Sequence, residues 1–133
     1  MRLLIDTNIV LELILEQAKA DEVRALLVRS AEDDFFISDY SLHSIGILLF
    51  RRKQHQVFRE FFDDMIVHAG AAVISLPVEG MESVVQAAQR FDLDFDDTYQ
   101  YAAAQKYGLI LVSFDTDFDR TELGRKTPAE LLQ

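Results

Sequence analysis

The sequence predicts an α/β domain in which a parallel sheet carries helices on both faces. Three observations lead to that expectation. Short apolar runs of strand length alternate with longer stretches of helical periodicity, the order in which parallel βαβ units are strung together. Aspartates follow the first and last of these runs: Asp6 after Leu3-Leu4-Ile5, and Asp115 and Asp117 after Leu109-Ile110-Leu111-Val112. In a parallel sheet those positions lie at the carboxyl edge of the strands, where ligands bind. The chain has 133 residues, 50% of them hydrophobic, enough for one domain to bury a core without staples.

Leu3 to Ile5 reads as a buried first strand. Thr7 or Asn8 caps the helix that follows, which carries Val10, Leu11, Ile14 and Leu15 at helical spacing. Asp21 to Arg29 continues helically, with Val23, Leu26 and Leu27 on one face. Phe35 to Ser38 is the second strand, and Asp39 or Ser41 caps a strongly apolar helix that runs through Arg52. Gln56 to His68 is amphipathic. Its Phe58, Phe61 and Phe62 follow a helix face and are expected in the core rather than as a base-stacking platform. Ala71 to Leu76 is the third strand, closed by Pro77, whose missing N–H suits a strand exit.

Glu79 to Arg90 forms another helix, and Phe91 to Asp96 an acidic linker. The Ala-rich helix from Asp97 to Tyr107 stops at Gly108, a normal C-terminal signal. Leu109 to Val112 is the fourth strand. An acidic loop and a short helix opened by Thr127-Pro128 complete the chain, with proline at the first helical position. No repeat or interdomain linker interrupts it, so residues 1–133 are expected to form a single domain.

Composition excludes several functions. With no cysteine, disulfides and thiolate metal sites are ruled out, which sits comfortably with a reducing cytosol. The first apolar run is too short for a signal peptide, and no stretch approaches a membrane span, so a cytoplasmic protein is expected. A net charge of −10 argues against a broad, nonspecific nucleic-acid binder. It leaves room for an enzyme whose metal ions bridge acids to a phosphodiester, and it suits a basic protein partner. The one dense basic patch is Arg51-Arg52-Lys53 with His55 nearby.

Asp6, Asp97, Asp115 and Asp117 are the candidates for a hard divalent cation, because Mg²⁺ and Mn²⁺ prefer oxygen ligands. Each also has an ordinary use. Asp6 serves equally as a helix cap, Asp97 as part of an acidic helix N-terminus favoured by the macrodipole, and Asp115 and Asp117 as loop formers. Phosphoryl transfer through an aspartate nucleophile wants a second acid two residues on, where Asn8 stands. No glycine-rich phosphate loop and no nucleophile elbow is present.

Taken in order, Ile5-Asp6-Thr7-Asn8, the stretch from Asp97 through Ala102-Ala103-Ala104 to Gly108-Leu109, Leu111 to Phe118 and the tail Thr127 to Leu132 form a pattern. It resembles the PIN-domain ribonucleases, including the toxin halves of bacterial toxin–antitoxin pairs of the VapC type. The resemblance covers nearly the whole chain. It implies a three-layer α/β/α fold with a central parallel sheet of four or five strands, and a site that holds Mg²⁺ or Mn²⁺ and hydrolyses single-stranded RNA. Asp6, Asp97 and Asp115 match the family's metal positions, Asp117 the acid of its terminal Asp-Phe pair, and Asn8 and Ser113 the small polar residues around the site.

One position departs from the pattern. Ser41 stands at the family's Ser/Thr position, but the acid expected three residues later is Ser44, and a hydroxyl is a poor, uncharged substitute for a carboxylate. Asp39 and His43 lie close by as possible replacements. Two readings follow. The first is an active, metal-dependent ribonuclease, homodimeric and silenced by a small antitoxin whose Arg or Lys enters among Asp6, Asp97 and Asp115. The second is a PIN-like protein-interaction or RNA-binding module that has lost turnover through Ser44. The apolar helices over Val10 to Leu27 and Leu42 to Phe50 are the candidates for a dimer surface.

Overall fold

The computed structural model describes residues 1–29 and 31–133. Four parallel strands, β1 (Arg2–Ile5), β2 (Asp34–Ser38), β3 (Ala72–Ile74) and β4 (Ile110–Val112), form one sheet in the order β3-β2-β1-β4. Around it lie α1 (Thr7–Ile14), α2 (Ala20–Leu27), α3 (Asp39–Arg51), α4 (His55–Phe62), α5 (Met81–Phe91), α6 (Phe95–Tyr107) and the short α7 (Pro128–Leu131). The three-layer α/β/α architecture expected from the alternating pattern is therefore present. A single bridge extends the sheet past β4, where Ser113 N donates to Lys126 O at 3.0 Å and Lys126 N to Leu111 O at 2.8 Å.

Strand alternation divides the core in two. Leu3 and Ile5 turn to one face and pack with Phe35, Ile37, Val112 and the buried stripes of α1 to α4 (Ile9, Val10, Val23, Leu26, Ile45, Leu49, Phe61). Leu4 and Leu111 turn to the other, against Tyr101, Ala103 and Ala104 of α6 and Phe118. Residues two apart on a strand share a face, so the pure apolar run of β1 feeds both layers. Phe61 is buried and Phe58 half-buried as expected, whereas Phe62 is exposed. Among the described residues no helix is long and apolar enough to cross a membrane.

The caps differ from expectation in a consistent way. Asp6 caps α1, the ordinary use set beside its metal reading, in place of Thr7 or Asn8, and its carboxylate accepts from Thr7 N. Ser38 caps α3 through Ser41 N, in place of Asp39 or Ser41. Asp94 caps α6 through Asp97 N, so the acidic linker is shorter than expected and the helix starts at Phe95. In each case the capping residue is itself extended and its side-chain oxygen accepts from a free N–H of the helix's first turn. The amphipathic stretch after Gln56 also divides, α4 giving way to a π-helical turn over Asp63–His68. Thr127 and Glu130 form the full capping box with Pro128 at the first position.

The connections from β1 through β2 to β3 step outward in one direction. The chain then returns past β1 to lay β4 on its other side, with Ile5 opposite Val112. The switch in strand order thus falls between β1 and β4, and their carboxyl ends set Asp6 and Ser113 side by side.

Candidate metal centre

Asp6 leaves β1 at this switch point and is 7% exposed. A carboxylate carries about four lone-pair sites, and here each has a donor. Oδ1 accepts from Thr7 N at 2.8 Å and Gln100 Nε2 at 2.9 Å. Oδ2 accepts from Ser113 Oγ at 2.7 Å and, more weakly, from Asn8 Nδ2 at 3.4 Å. Burial pushes the Asp6 carboxyl above its ordinary value, and the bonds from Gln100, Ser113 and Thr7 pull against it.

Asp97, Asp115 and Asp117 converge in front of it. Each offers one carboxylate oxygen within 4.8 Å of the others. Asp97 comes from the third position of α6, held there by the Asp94 cap. Asp115 is placed by its own backbone N–H, which donates to Ser113 Oγ at 3.0 Å, and its Oδ1 accepts from Asp117 N at 2.9 Å, which turns Asp117 inward. The Asp97 carboxyl is pushed up to about 7, first by burial and then by the charges of Asp115, Asp94 and Asp6. A close-set, all-oxygen group of three carboxylates with one guanidinium, Arg120 on Asp117, beside it fits a hard divalent cation. Of the four expected aspartates, Asp97, Asp115 and Asp117 form this close group, while both oxygens of Asp6 are engaged by donors from Thr7, Gln100, Ser113 and Asn8.

The supporting residues divide. Asn8 and Ser113 are in the network, with Asn8 Nδ2 donating to Ser113 Oγ at 3.1 Å. Ser41 is buried and its Oγ accepts from Thr7 Oγ1 and from Gln100 Nε2, at 2.8 and 2.9 Å. Ser44 sits half-buried one turn further along α3, outside this network. Asp39 is not among the three acids that cluster. Its Oδ1 accepts from Tyr99 Oη at 2.7 Å and from Tyr40 N at 2.9 Å, which ties α3 to α6. His43 is exposed.

Sequence reading missed Gln100, which is 1% exposed and clamps Asp6 to Ser41. A signal existed, because Gln100 follows Asp97 by three residues and so shares its helix face. It also missed two arginines. Arg120 Nη1 donates to Asp117 at 3.2 Å, while its other nitrogens hold the carbonyls of Phe91 and Asp92. Arg125 pairs with Asp119 at 3.1 Å and donates to the Ser113 carbonyl at 3.1 Å. The Arg120–Asp117 pair has a local i,i+3 spacing, whereas the bonds from Arg120 to the carbonyls of Phe91 and Asp92 join distant segments and leave no local pattern.

The sequence matches the family model described as PIN domain over residues 3–123. Its structure is similar to a toxin–antitoxin complex from Klebsiella pneumoniae, with a TM-score of 0.72, 22% identity and coverage of 94% of this chain and 96% of that one. It is also similar to VapBC2 from Rickettsia felis bound to a promoter DNA fragment, with a TM-score of 0.75, 16% identity and coverage of 95% and 97%. A third similar structure is VapC20 of Mycobacterium tuberculosis, a toxin that cleaves the sarcin–ricin loop, with a TM-score of 0.71, 20% identity and coverage of 88% and 92%. No curated protein matches the sequence.

Proposed function

This chain belongs to the PIN-domain family, and on that premise we propose that it is a metal-dependent ribonuclease that hydrolyses phosphodiester bonds of single-stranded RNA. The observation that carries the proposal is the convergence of Asp97, Asp115 and Asp117 within 4.8 Å at the switch point of the sheet. In this reading those three residues hold Mg²⁺ or Mn²⁺. Asp6 joins through Oδ2, where the 3.4 Å contact from Asn8 is weak enough to give way. The bound ion supplies Lewis acidity towards water and the phosphate oxygens.

The chain's own residues do the rest. Gln100, Ser113 and Thr7 N keep Asp6 in place and favour its ionised form in a buried site. Asp97, with its carboxyl near 7, gives up its proton readily when positive charge arrives. Ser113 binds Asp6 through its hydroxyl and Asp115 through that residue's N–H, so one side chain fixes the distance between the two strand ends.

The proposal extends to a VapC-type toxin working in the cytoplasm, held by a small basic antitoxin. Support for the antitoxin comes from the similar structures named as toxin–antitoxin complexes. Homodimerisation is part of the same proposal. Of the two helical segments expected at a dimer surface, Val10, Val23 and Leu26 are consumed by the core, whereas Ile47 and Phe50 of α3 remain exposed.

Cleavage of a single-stranded RNA pool with Mn²⁺ or Mg²⁺ tests the enzyme. Activity should fall at least roughly a hundredfold in Asp6→Asn and in Asp97→Asn, the scale of losing one catalytic group. A specific observation favours a second reading, a PIN-like binding module: α3 brings Ser44 where an acid is expected, and Asp39 is spent on Tyr99. A folded wild type that cleaves nothing with either metal would establish that reading instead.

A further inference from the structure

Beside the acidic centre lies an open cleft of about 460 Å³, within the size range of small-ligand sites. Leu11, Leu15 and Leu48 form its apolar floor, Phe114 one wall, and Lys19 and Arg52 its cationic rim. The cleft borders the centre through two of its lining residues, Asn8 and Phe114. Asn8 lines it and also bonds Asp6 and Ser113, while Phe114 N donates to Asn8 Oδ1 at 3.1 Å and Phe114 immediately precedes Asp115.

The charges here run against the rest of the molecule. In a chain of net charge −10, neither Lys19 nor Arg52 forms an ion pair among the described residues. The Lys19 ammonium instead rests over the Phe114 ring, 5.1 Å from its centroid. The acid in the lining, Glu12, has its Oε1 engaged by Lys19 N at 2.9 Å. An aromatic ring, an apolar floor and two cations without a carboxylate partner, beside the acidic centre, match the parts of one nucleotide. A base stacks on the ring, and the cations meet the phosphate.

We propose that this cleft is a nucleotide subsite, which seats one residue of the RNA strand next to the scissile phosphate. The base lies against Phe114 and takes the place of the Lys19 ammonium, which then turns with Arg52 to the adjoining phosphate. Stacking tolerates any base, so the subsite orients the strand more than it reads sequence. The inference rests on the nuclease reading for its purpose, though not for the binding itself.

Adenosine 5′-monophosphate, titrated into the isotope-labelled protein in EDTA and followed by NMR, tests the subsite apart from hydrolysis. The expected result is saturable movement of the Asn8, Lys19, Arg52 and Phe114 amide signals, with weaker binding of adenosine alone or of inorganic phosphate alone. Affinity should fall roughly tenfold in Phe114→Leu, which keeps apolar packing and loses the flat ring, and similarly in Arg52→Gln. No saturable shift, shifts confined to another face, or equal affinity in both variants would overturn the subsite. A wild type that cleaves RNA yet shows no such shifts leaves the nuclease reading standing without it. Saturable shifts in a protein that cleaves nothing support the subsite and remove the nuclease.

Discussion

Asp97→Asn should make the metal-free protein more stable at pH 8 and abolish its stabilisation by Mg²⁺. The Asp97 carboxyl is raised from 3.8 to about 7, by burial first and then by the charges of Asp115, Asp94 and Asp6. Between those two values the folded state holds a proton that the unfolded chain has released, so stability falls as pH rises and the full cost is present above pH 7. A shift of that size corresponds to about 4 kcal/mol at 1.36 kcal/mol per unit. Asp97 is only half-buried, however, and solvent screening brings the cost to on the order of 1–2 kcal/mol. Losing a negative charge from the first turn of α6 works the other way by about 0.5 kcal/mol. The net gain of about 1 kcal/mol corresponds to roughly 4 °C in Tm for a chain of this length.

Thermal melts in EDTA across the pH range measure this directly. The gain should shrink to under about half at pH 5 and vanish below about pH 4, where the unfolded carboxyl also takes its proton. Adding Mg²⁺ at pH 8 should raise the wild-type Tm and leave that of the variant unmoved. A variant that melts at or below the wild type at pH 8 would refute the idea that the acids repel one another for want of a cation.

Three further substitutions probe the site and its scaffold. Ser44→Glu should raise Mn²⁺ affinity, measured by calorimetry, and RNA cleavage by about tenfold each, the worth of one added charge contact; no rise in either would place Ser44 outside the reach of the centre. Gln100→Leu removes a donor from Asp6 Oδ1 and from Ser41, so it should cost about 1–3 kcal/mol in denaturant unfolding. It should also weaken Mn²⁺ binding at neutral pH, because the Asp6 carboxyl then moves further above its ordinary value; unchanged metal affinity would count against the clamp. Gly108→Ala places a Cβ at φ +65, where L residues are disfavoured, and should lower stability by about 1 kcal/mol with cleavage intact.

The sequence by itself determined the layered fold, because its evidence is local. Alternating apolar runs, Gly108 after α6 and Thr127-Pro128 before α7 each act within a few residues, and each appears where expected. It also pointed to Asp6, Asp115 and Asp117 as candidates, since strand-end acids share an edge in any parallel sheet, and to Asp97 through the resemblance to the family pattern. Which acids meet was decided by tertiary structure. Asp6 has four donors drawn from α1, α6 and the end of β4, three of them side chains, and Gln100 contributes only because α6 packs across the β1–β4 junction. The turn that presents Asp117 is a local cap, its N–H donating to Asp115 Oδ1, but the approach of both to Asp97 depends on where α6 packs. Periodicity and capping are properties of neighbours in the chain, whereas a buried carboxylate's partners are properties of neighbours in space.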